Sequence, residues 1–171
     1  MSDLLVSPRV FISYAHEPQM NGHRPRALEL AQSLRLRGVD AMIDQFVEHE
    51  GPHWPQWTQR NITEAGFVLC LASPSYKQRV EAAGDPQVGL GSHWEGAVIT
   101  ELLYAHVGPR CIAVVLEGCS PADIPDVLRP IGHTYYQLPQ DDEDLYRRLT
   151  NQPRALPAPL GQIVKLETKA S

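Results

Sequence analysis

Two unbroken apolar runs constrain the fold of this chain more than any other feature. Residues 67–72 read Phe-Val-Leu-Cys-Leu-Ala, and residues 111–116 read Cys-Ile-Ala-Val-Val-Leu. A strand with one face in water alternates apolar and polar residues, whereas a strand covered on both faces does not need to. The runs therefore predict central strands of a parallel sheet that helices cover on both sides.

The N-terminal part of the chain predicts a strand, a helix and a second strand. Residues 9–13 are rich in β-favouring residues and lead into a polar loop. Residues 24–37 then place apolar side chains on one helical face, namely Ala27, Leu30, Ala31 and Leu34. Gly38 suits the left-handed position that ends a helix, and residues 39–44 form a second short strand that ends in Asp44. Such a unit is a right-handed parallel crossover.

The rest of the chain continues the alternation of helices and strands. Its patterns predict helices over 54–64, 75–83, 92–106 and 141–150, and an edge strand over 134–138. We therefore predict an α/β fold: a flavodoxin-like, doubly wound sheet of about five mostly parallel strands with helices on both faces.

The domain boundaries follow from the same patterns. Residues 1–8 form an N-terminal extension, residues 9–150 form one domain, and residues 151–171 form a Pro-rich tail or linker. The tail has room for at most one short strand, near residues 163–166.

Composition excludes several classes of partner. The formal net charge is -5, and no Lys/Arg cluster is present, so direct binding to nucleic acid is not expected. No apolar stretch approaches the roughly 20 residues of a membrane span, and the N-terminus lacks the basic and apolar regions of a leader. The odd number of cysteines, three, suits a reducing compartment. We expect a soluble, cytoplasmic protein that does not engage a membrane.

Several chemistries are also excluded by the motifs. A phospho-receiver of this topology needs acidic residues after the first and third strands, where this chain has Ser13-Tyr14 and Ser73-Pro74. Neither a Walker loop nor a nucleophile elbow occurs. His49 and His53 are spaced as ligands on one helix would be, but Gly51-Pro52 between them opposes a helix, so no metal site is expected.

Carboxylates near the carboxyl edge of the sheet are the remaining candidates for chemistry. Glu95 and Glu101 fall in the helix after the third strand, and Asp44 ends the second strand. A carboxylate in a cleft can stabilise the positive charge that develops on a ribosyl ring when its glycosidic bond breaks. However, Ser92 and Glu95 also have the spacing of a capping box, and Glu101 also fits a solvated helix face. The residues alone leave these alternatives open.

A set of segments, taken in order, resembles one known family. The chain is similar to the SEFIR branch of the Toll/interleukin receptor (TIR) superfamily, in its bacterial form, over about residues 9–140. The resemblance is carried by Val10–His16, Gly38–Phe46, Gly51, Trp54–Trp57, Ala65–Cys70, Ser73–Lys77, Gly91 and Trp94–Thr100.

This resemblance implies one of two functions. Members of the family either assemble homotypically as signalling adaptors or cleave NAD+ at the nicotinamide–ribose bond, and bacterial members resemble effectors of antiphage defence. NAD+ would be the substrate, and no cofactor is implied. The leading hypothesis is an NAD+ glycohydrolase that self-association activates, with a fused or separate sensor domain as a further partner. The alternatives are a non-catalytic adaptor module and an enzyme similar to nucleoside ribosyltransferases.

The resemblance also assigns roles to individual residues. Ser13 and Tyr14 match the motif that lines the nucleotide cleft, and residues 44–53, which begin with Asp44, match the loop that shapes the cleft and contacts neighbouring subunits. Glu95 matches the catalytic carboxylate of a Trp-Glu-Gly signature.

One departure leaves the catalytic assignment open. The family usually carries its catalytic Glu about four residues after a Trp, a position that is Val98 here, and counting back from the fourth strand favours Glu101 instead. Ring contacts to the substrate are expected from three aromatic residues whose type is more often found in the core, Trp57, Tyr76 and Trp94.

Overall fold

The chain is built around a five-stranded, all-parallel sheet. The computed structural model describes residues 5–82, 110–129 and 134–170. Its strand order is β2-β1-β3-β4-β5, which is the flavodoxin-like order that the sequence predicts. The strands are β1 (Arg9–Ser13), β2 (Asp40–Met42), β3 (Phe67–Leu71), β4 (Cys111–Val115) and β5 (Tyr136–Gln137).

Helices cover both faces of this sheet, as predicted. They are α1 (His23–Leu36), α2 (Trp54–Glu64), α3 (Pro74–Ala82) and α4 (Asp142–Thr150). One core joins the sheet to α1 and α4 through residues that include Val10, Ile12, Leu34, Leu69 and Leu145. The opposite core joins it to α2 and α3 through residues that include Phe11, Trp57, Cys70, Tyr76 and Val80. Both faces of β3 and β4 are buried, which explains their unbroken apolar sequence.

The chain after β2 differs from the prediction. The second strand ends at Met42 rather than at Asp44, because its last pairing with β1 is Phe11 opposite Met42. Residues 44–50, predicted as the end of that strand and a loop, form two 3-10 helices, Asp44–Phe46 and Glu48–Glu50. Gly51 ends the second one in the left-handed conformation, at φ 56°.

Two further 3-10 helices, Pro121–Asp123 and Asp126–Leu128, follow β4 and were not predicted. The predicted helix over 92–106 lies outside the described residues.

The C-terminal segment, expected to hold at most one short strand near residues 163–166, contains none. Residues 153–170 are exposed along their whole length. This segment makes no ladder with the sheet, so its apolar side chains Ile163, Val164 and Leu166 stay in solvent. Within the described ranges, no helix combines the length and the apolar character that crossing a bilayer requires.

Candidate functional site

A small cavity lies at the carboxyl end of β1, the edge at which parallel sheets of this kind bind ligands. It encloses about 40 Å³ and is lined by Phe11, Ile12, Ser13, Tyr14, Asp44, Trp54, Trp57 and Thr58. Four residues that the sequence analysis selected for substrate binding therefore meet here: Ser13, Tyr14, Asp44 and Trp57.

Three neighbouring elements supply these residues. Ser13 is the last residue of β1, and Tyr14 follows it directly. Asp44 is brought alongside because β2 pairs with β1 in parallel, so the two strands end at the same edge of the sheet. Trp57 comes from the first half of α2, which packs on the same face of the sheet as Phe11.

Ser13 is held in place by a hydrogen bond to a buried tyrosine. Its hydroxyl lies 3.0 Å from the Tyr76 hydroxyl, and both residues are only 2% exposed. Burial raises the pKa of Tyr76 well above its ordinary value, as does the neighbouring Cys70 thiol, so the phenol stays protonated. Tyr76 is not among the residues that line the cavity. The structure thus places it behind Ser13, in the core, rather than at the cavity wall.

Tyr14 and Asp44 form the polar part of the cavity. Burial raises the pKa of Tyr14 above its ordinary value, and the negative charge of Asp44 raises it further. Asp44 Oδ2 lies 3.5 Å from His16 Nε2. The His16 ring stacks on the Tyr14 ring, with their centroids 5.6 Å apart.

Two polar atoms of this pair, the Tyr14 hydroxyl oxygen and Asp44 Oδ1, are buried without a well-formed hydrogen bond to a described residue. The side chains of Asp44, Arg24 and Gln45 nevertheless lie close enough to the Tyr14 hydroxyl for hydrogen-bond interactions to affect its pKa. Buried polar groups usually find partners, because desolvating one without a hydrogen bond costs about 1–3 kcal/mol. A polar ligand that entered the cavity, such as a hydroxyl group, could complete the hydrogen bonding of these two atoms.

An aromatic cluster forms the other wall. The Trp57 ring packs edge-to-face with the Phe11 ring, their centroids 5.7 Å apart, and with the Trp54 ring, their centroids 5.6 Å apart. Trp57 is only 7% exposed, so most of its ring packs in the core, and Trp54 is the more accessible of the two.

Sequence reasoning missed the residues that fasten the 44–50 segment to α1. Arg24 forms an ion pair with Glu48, and Gln45 Nε2 donates a hydrogen bond to the Arg24 carbonyl oxygen at 3.1 Å. Arg24 stands in the first turn of α1, where the helix dipole disfavours a positive charge. A positive charge at this unfavourable position is the sequence signal that could have identified Arg24 as a residue with a specific partner.

The candidate catalytic residues lie beyond this description. Glu95, Glu101 and Trp94 all fall outside the described residues, in the chain between α3 and β4. Their roles stay predictions. Among the residues that are described, no group of three or more His, Cys, Asp or Glu side chains could hold a metal ion.

The volume of the cavity limits what the described residues can bind by themselves. Pockets for small molecules usually measure about 300 Å³ or more, whereas this cavity measures about 40 Å³. It has room for a hydroxyl group or a water molecule, so the described residues by themselves can hold only part of a nucleotide.

Comparisons with known proteins agree with this architecture. Residues 10–150 match the family described as TIR domain. A solved structure described as a prokaryotic SEFIR domain superposes with a TM-score of 0.57 at 23% sequence identity, over 85% of this chain and 98% of that one. The curated proteins contain no match. Since the family match spans most of the sequence and the solved structure shares its fold, the chain belongs to the TIR domain family.

Proposed function

We propose that this protein is an NAD+ glycohydrolase that homotypic assembly activates. The observation that carries the proposal is the Tyr14–Asp44 pair, which lines one cavity together with Trp54 and Trp57 at the ligand-binding edge of the sheet. A ribose ring offers hydroxyl groups to such a pair, and a nicotinamide ring offers a flat face to tryptophan. Membership of the TIR domain family supports the same choice.

The proposed reaction breaks the bond between nicotinamide and C1′ of the ribose. The bonding electrons leave with nicotinamide, and the Glu95 carboxylate stabilises the positive charge that develops on the ribose. Water then adds to C1′ and loses a proton, so NAD+ and water give ADP-ribose, nicotinamide and a proton. Ser13, Tyr14 and Asp44 would orient the ribose, Trp57 and Trp94 would contact the rings, and Tyr76 would hold Ser13.

Self-association would occur through residues 44–53 and the helices beside them. Glu48, His49 and Glu50 are exposed, although the segment that carries them is fastened to α1. The small volume of the cavity supports a resting state that assembly must open. The same proposal includes a domain over 9–150, a tail or linker over 151–171, and a cytoplasmic location. The protein would act as an effector of antiphage defence that responds to a fused or separate sensor.

The test is nicotinamide release from NAD+ by the purified chain and three variants. Glu95→Ala should abolish release without changing the melting temperature, whereas Glu101→Ala should not. Glu29→Ala is the matched control, because it removes one exposed carboxylate from α1, on the opposite face of the sheet from α2 and Trp57. Loss of activity in Glu101→Ala alone would move the catalytic role to that residue.

A second candidate is a non-catalytic adaptor that assembles with other copies of its family. The observation in its favour is the cavity of about 40 Å³, which does not admit a nucleotide as it stands. An adaptor would assemble without releasing nicotinamide at any concentration, and Glu95→Ala would only lower helix stability. Base exchange on nucleosides, with NAD+ left intact, would instead indicate a ribosyltransferase-like enzyme.

A further inference from the structure

We propose that Glu17 is a positioning residue of the candidate site: it fixes the β1–α1 connection, which carries Tyr14 and His16, against the start of α3. This inference rests on the proposed function for its role in catalysis. It comes from a contact between parts of the chain 58 residues apart. The Glu17 carboxylate accepts hydrogen bonds from the Ser75 amide at 2.6 Å and from the Ser75 hydroxyl at 2.8 Å.

Glu17 completes the cap of α3. The helix begins at Pro74, which has no amide hydrogen to satisfy. Ser73 accepts a hydrogen bond from the Tyr76 amide through its side chain and from the Lys77 amide through its carbonyl oxygen. The Ser75 amide is the remaining hydrogen-bond donor of this first turn, and the Glu17 carboxylate accepts a hydrogen bond from it. A negative charge at this end of a helix is also favoured by the helix dipole.

The charge of Glu17 fits this role. Burial raises the pKa of Glu17, but hydrogen bonds from Ser73 and Ser75 outweigh that effect, and the pKa stays below its ordinary value. The carboxylate is therefore ionised at neutral pH. His23, which is fully buried at the start of α1, adds a smaller effect in the same direction.

A second contact shows that Glu17 does more than cap α3, because two separate hydrogen-bonded contacts, here called the brace, join this part of the chain to the helix. The Ser13 and Tyr76 hydroxyls join β1 to α3 inside the core, and Glu17 and Ser75 join the chain after β1 to the same helix. Between the two points lie Tyr14, which lines the cavity, and His16, whose ring stacks on Tyr14. Glu17 is thus placed to hold Tyr14, a proposed ribose-orienting residue, in its position relative to α3.

The test compares Glu17→Ala, Glu17→Gln and Ser75→Ala with the Glu29→Ala control. In Glu17→Ala, we expect kcat for nicotinamide release to fall about tenfold while KM changes less than about twofold, since misplacing a site lowers the rate more than binding. Gln can still accept the Ser75 amide, so Glu17→Gln should recover most of the rate. Glu17→Ala and Ser75→Ala should be non-additive when combined, because they remove the same contact.

Amide hydrogen exchange separates this proposal from the proposed function. In Glu17→Ala, exchange should accelerate both at residues 75–77 and at residues 14–20, and in Glu29→Ala at neither. Acceleration confined to α3, or an unchanged kcat with a lower melting temperature, would make Glu17 a helix cap only and overturn the inference. If the wild type releases no nicotinamide, the proposed function fails, and exchange at residues 14–20 alone decides whether the brace exists. Should Glu17→Ala fail to fold, Ser75→Ala removes half of the contact and is judged by the same two readouts.

Discussion

The Ser13–Tyr76 hydrogen bond allows a quantitative test of how the site is held together. Both residues are 2% exposed, and their hydroxyl oxygens lie 3.0 Å apart. Removing one hydroxyl leaves the other buried without its partner, which costs about 1–3 kcal/mol. Tyr76→Phe should therefore lower the free energy of unfolding by that amount. Ser13→Ala should lower the free energy of unfolding by an amount near the lower end of this range, because the Cys70 thiol remains beside the Tyr76 hydroxyl.

The double variant should be much less unstable than the two single variants suggest. With both hydroxyls removed, no unpaired polar atom is left, and replacing both partners by apolar groups can be nearly neutral. We expect Ser13→Ala/Tyr76→Phe to lie within about 1 kcal/mol of the wild type, so that the coupling energy equals most of the summed single costs. Urea denaturation at pH 7, followed by circular dichroism, measures all four proteins.

Tyr146→Phe provides the matched control. The Tyr146 hydroxyl donates to the Arg37 carbonyl oxygen at 2.6 Å, on the other face of the sheet from Tyr76. Its effect should add to that of Ser13→Ala within about 0.5 kcal/mol. If Ser13→Ala and Tyr76→Phe were equally additive, the two hydroxyls would be energetically independent, and the account of a braced β1 end would be refuted.

Three further predictions concern acid stability, the tail and a turn. Hydrogen bonding keeps the folded-state pKa of Glu17 below 4.5, so its carboxylate stabilises the fold fully above about pH 4.5 and this contribution is lost as the pH falls through the lower value. Unfolding free energies between pH 3 and 7 should therefore depend less on pH in Glu17→Gln, and an unchanged slope would contradict this. Truncation after Arg154 removes an exposed segment and should change the free energy of unfolding by less than about 0.5 kcal/mol in urea denaturation; a larger loss would mean that the tail packs on the domain. Gly51→Ala should cost about 1 kcal/mol by the same assay, because φ there is 56°, whereas a neutral effect would show that the turn adapts.

The sheet was predictable because its signal is local and repeated. The apolar runs at 67–72 and 111–116 identify strands covered on both faces, and the spacing of apolar residues predicts helices such as α1 and α2. Strands that alternate with helices favour a doubly wound sheet, and the flavodoxin-like strand order was expected on that basis. The one short strand that the tail had room for, at 163–166, does not form, because an apolar sequence needs a neighbouring strand and this one has none.

The site was predictable only in part, because its contacts join residues that are distant in sequence. Ser13, Tyr14 and Asp44 follow from the rule that parallel strands end at one edge. The burial of Tyr76 depends on how α3 rotates onto the sheet, which one aromatic residue does not determine. The capping of α3 by Glu17 links residues 58 positions apart, and no local pattern reports such a bond.

The most direct test of the central claim is nicotinamide release as a function of protein concentration, in the presence of a crowding agent, for the wild type and Glu95→Ala. An enzyme that assembly activates predicts release that rises more steeply than the protein concentration and that disappears in Glu95→Ala. Release in strict proportion to concentration would contradict activation by assembly. No release at any concentration, in a protein that assembles, would contradict the enzymatic function itself.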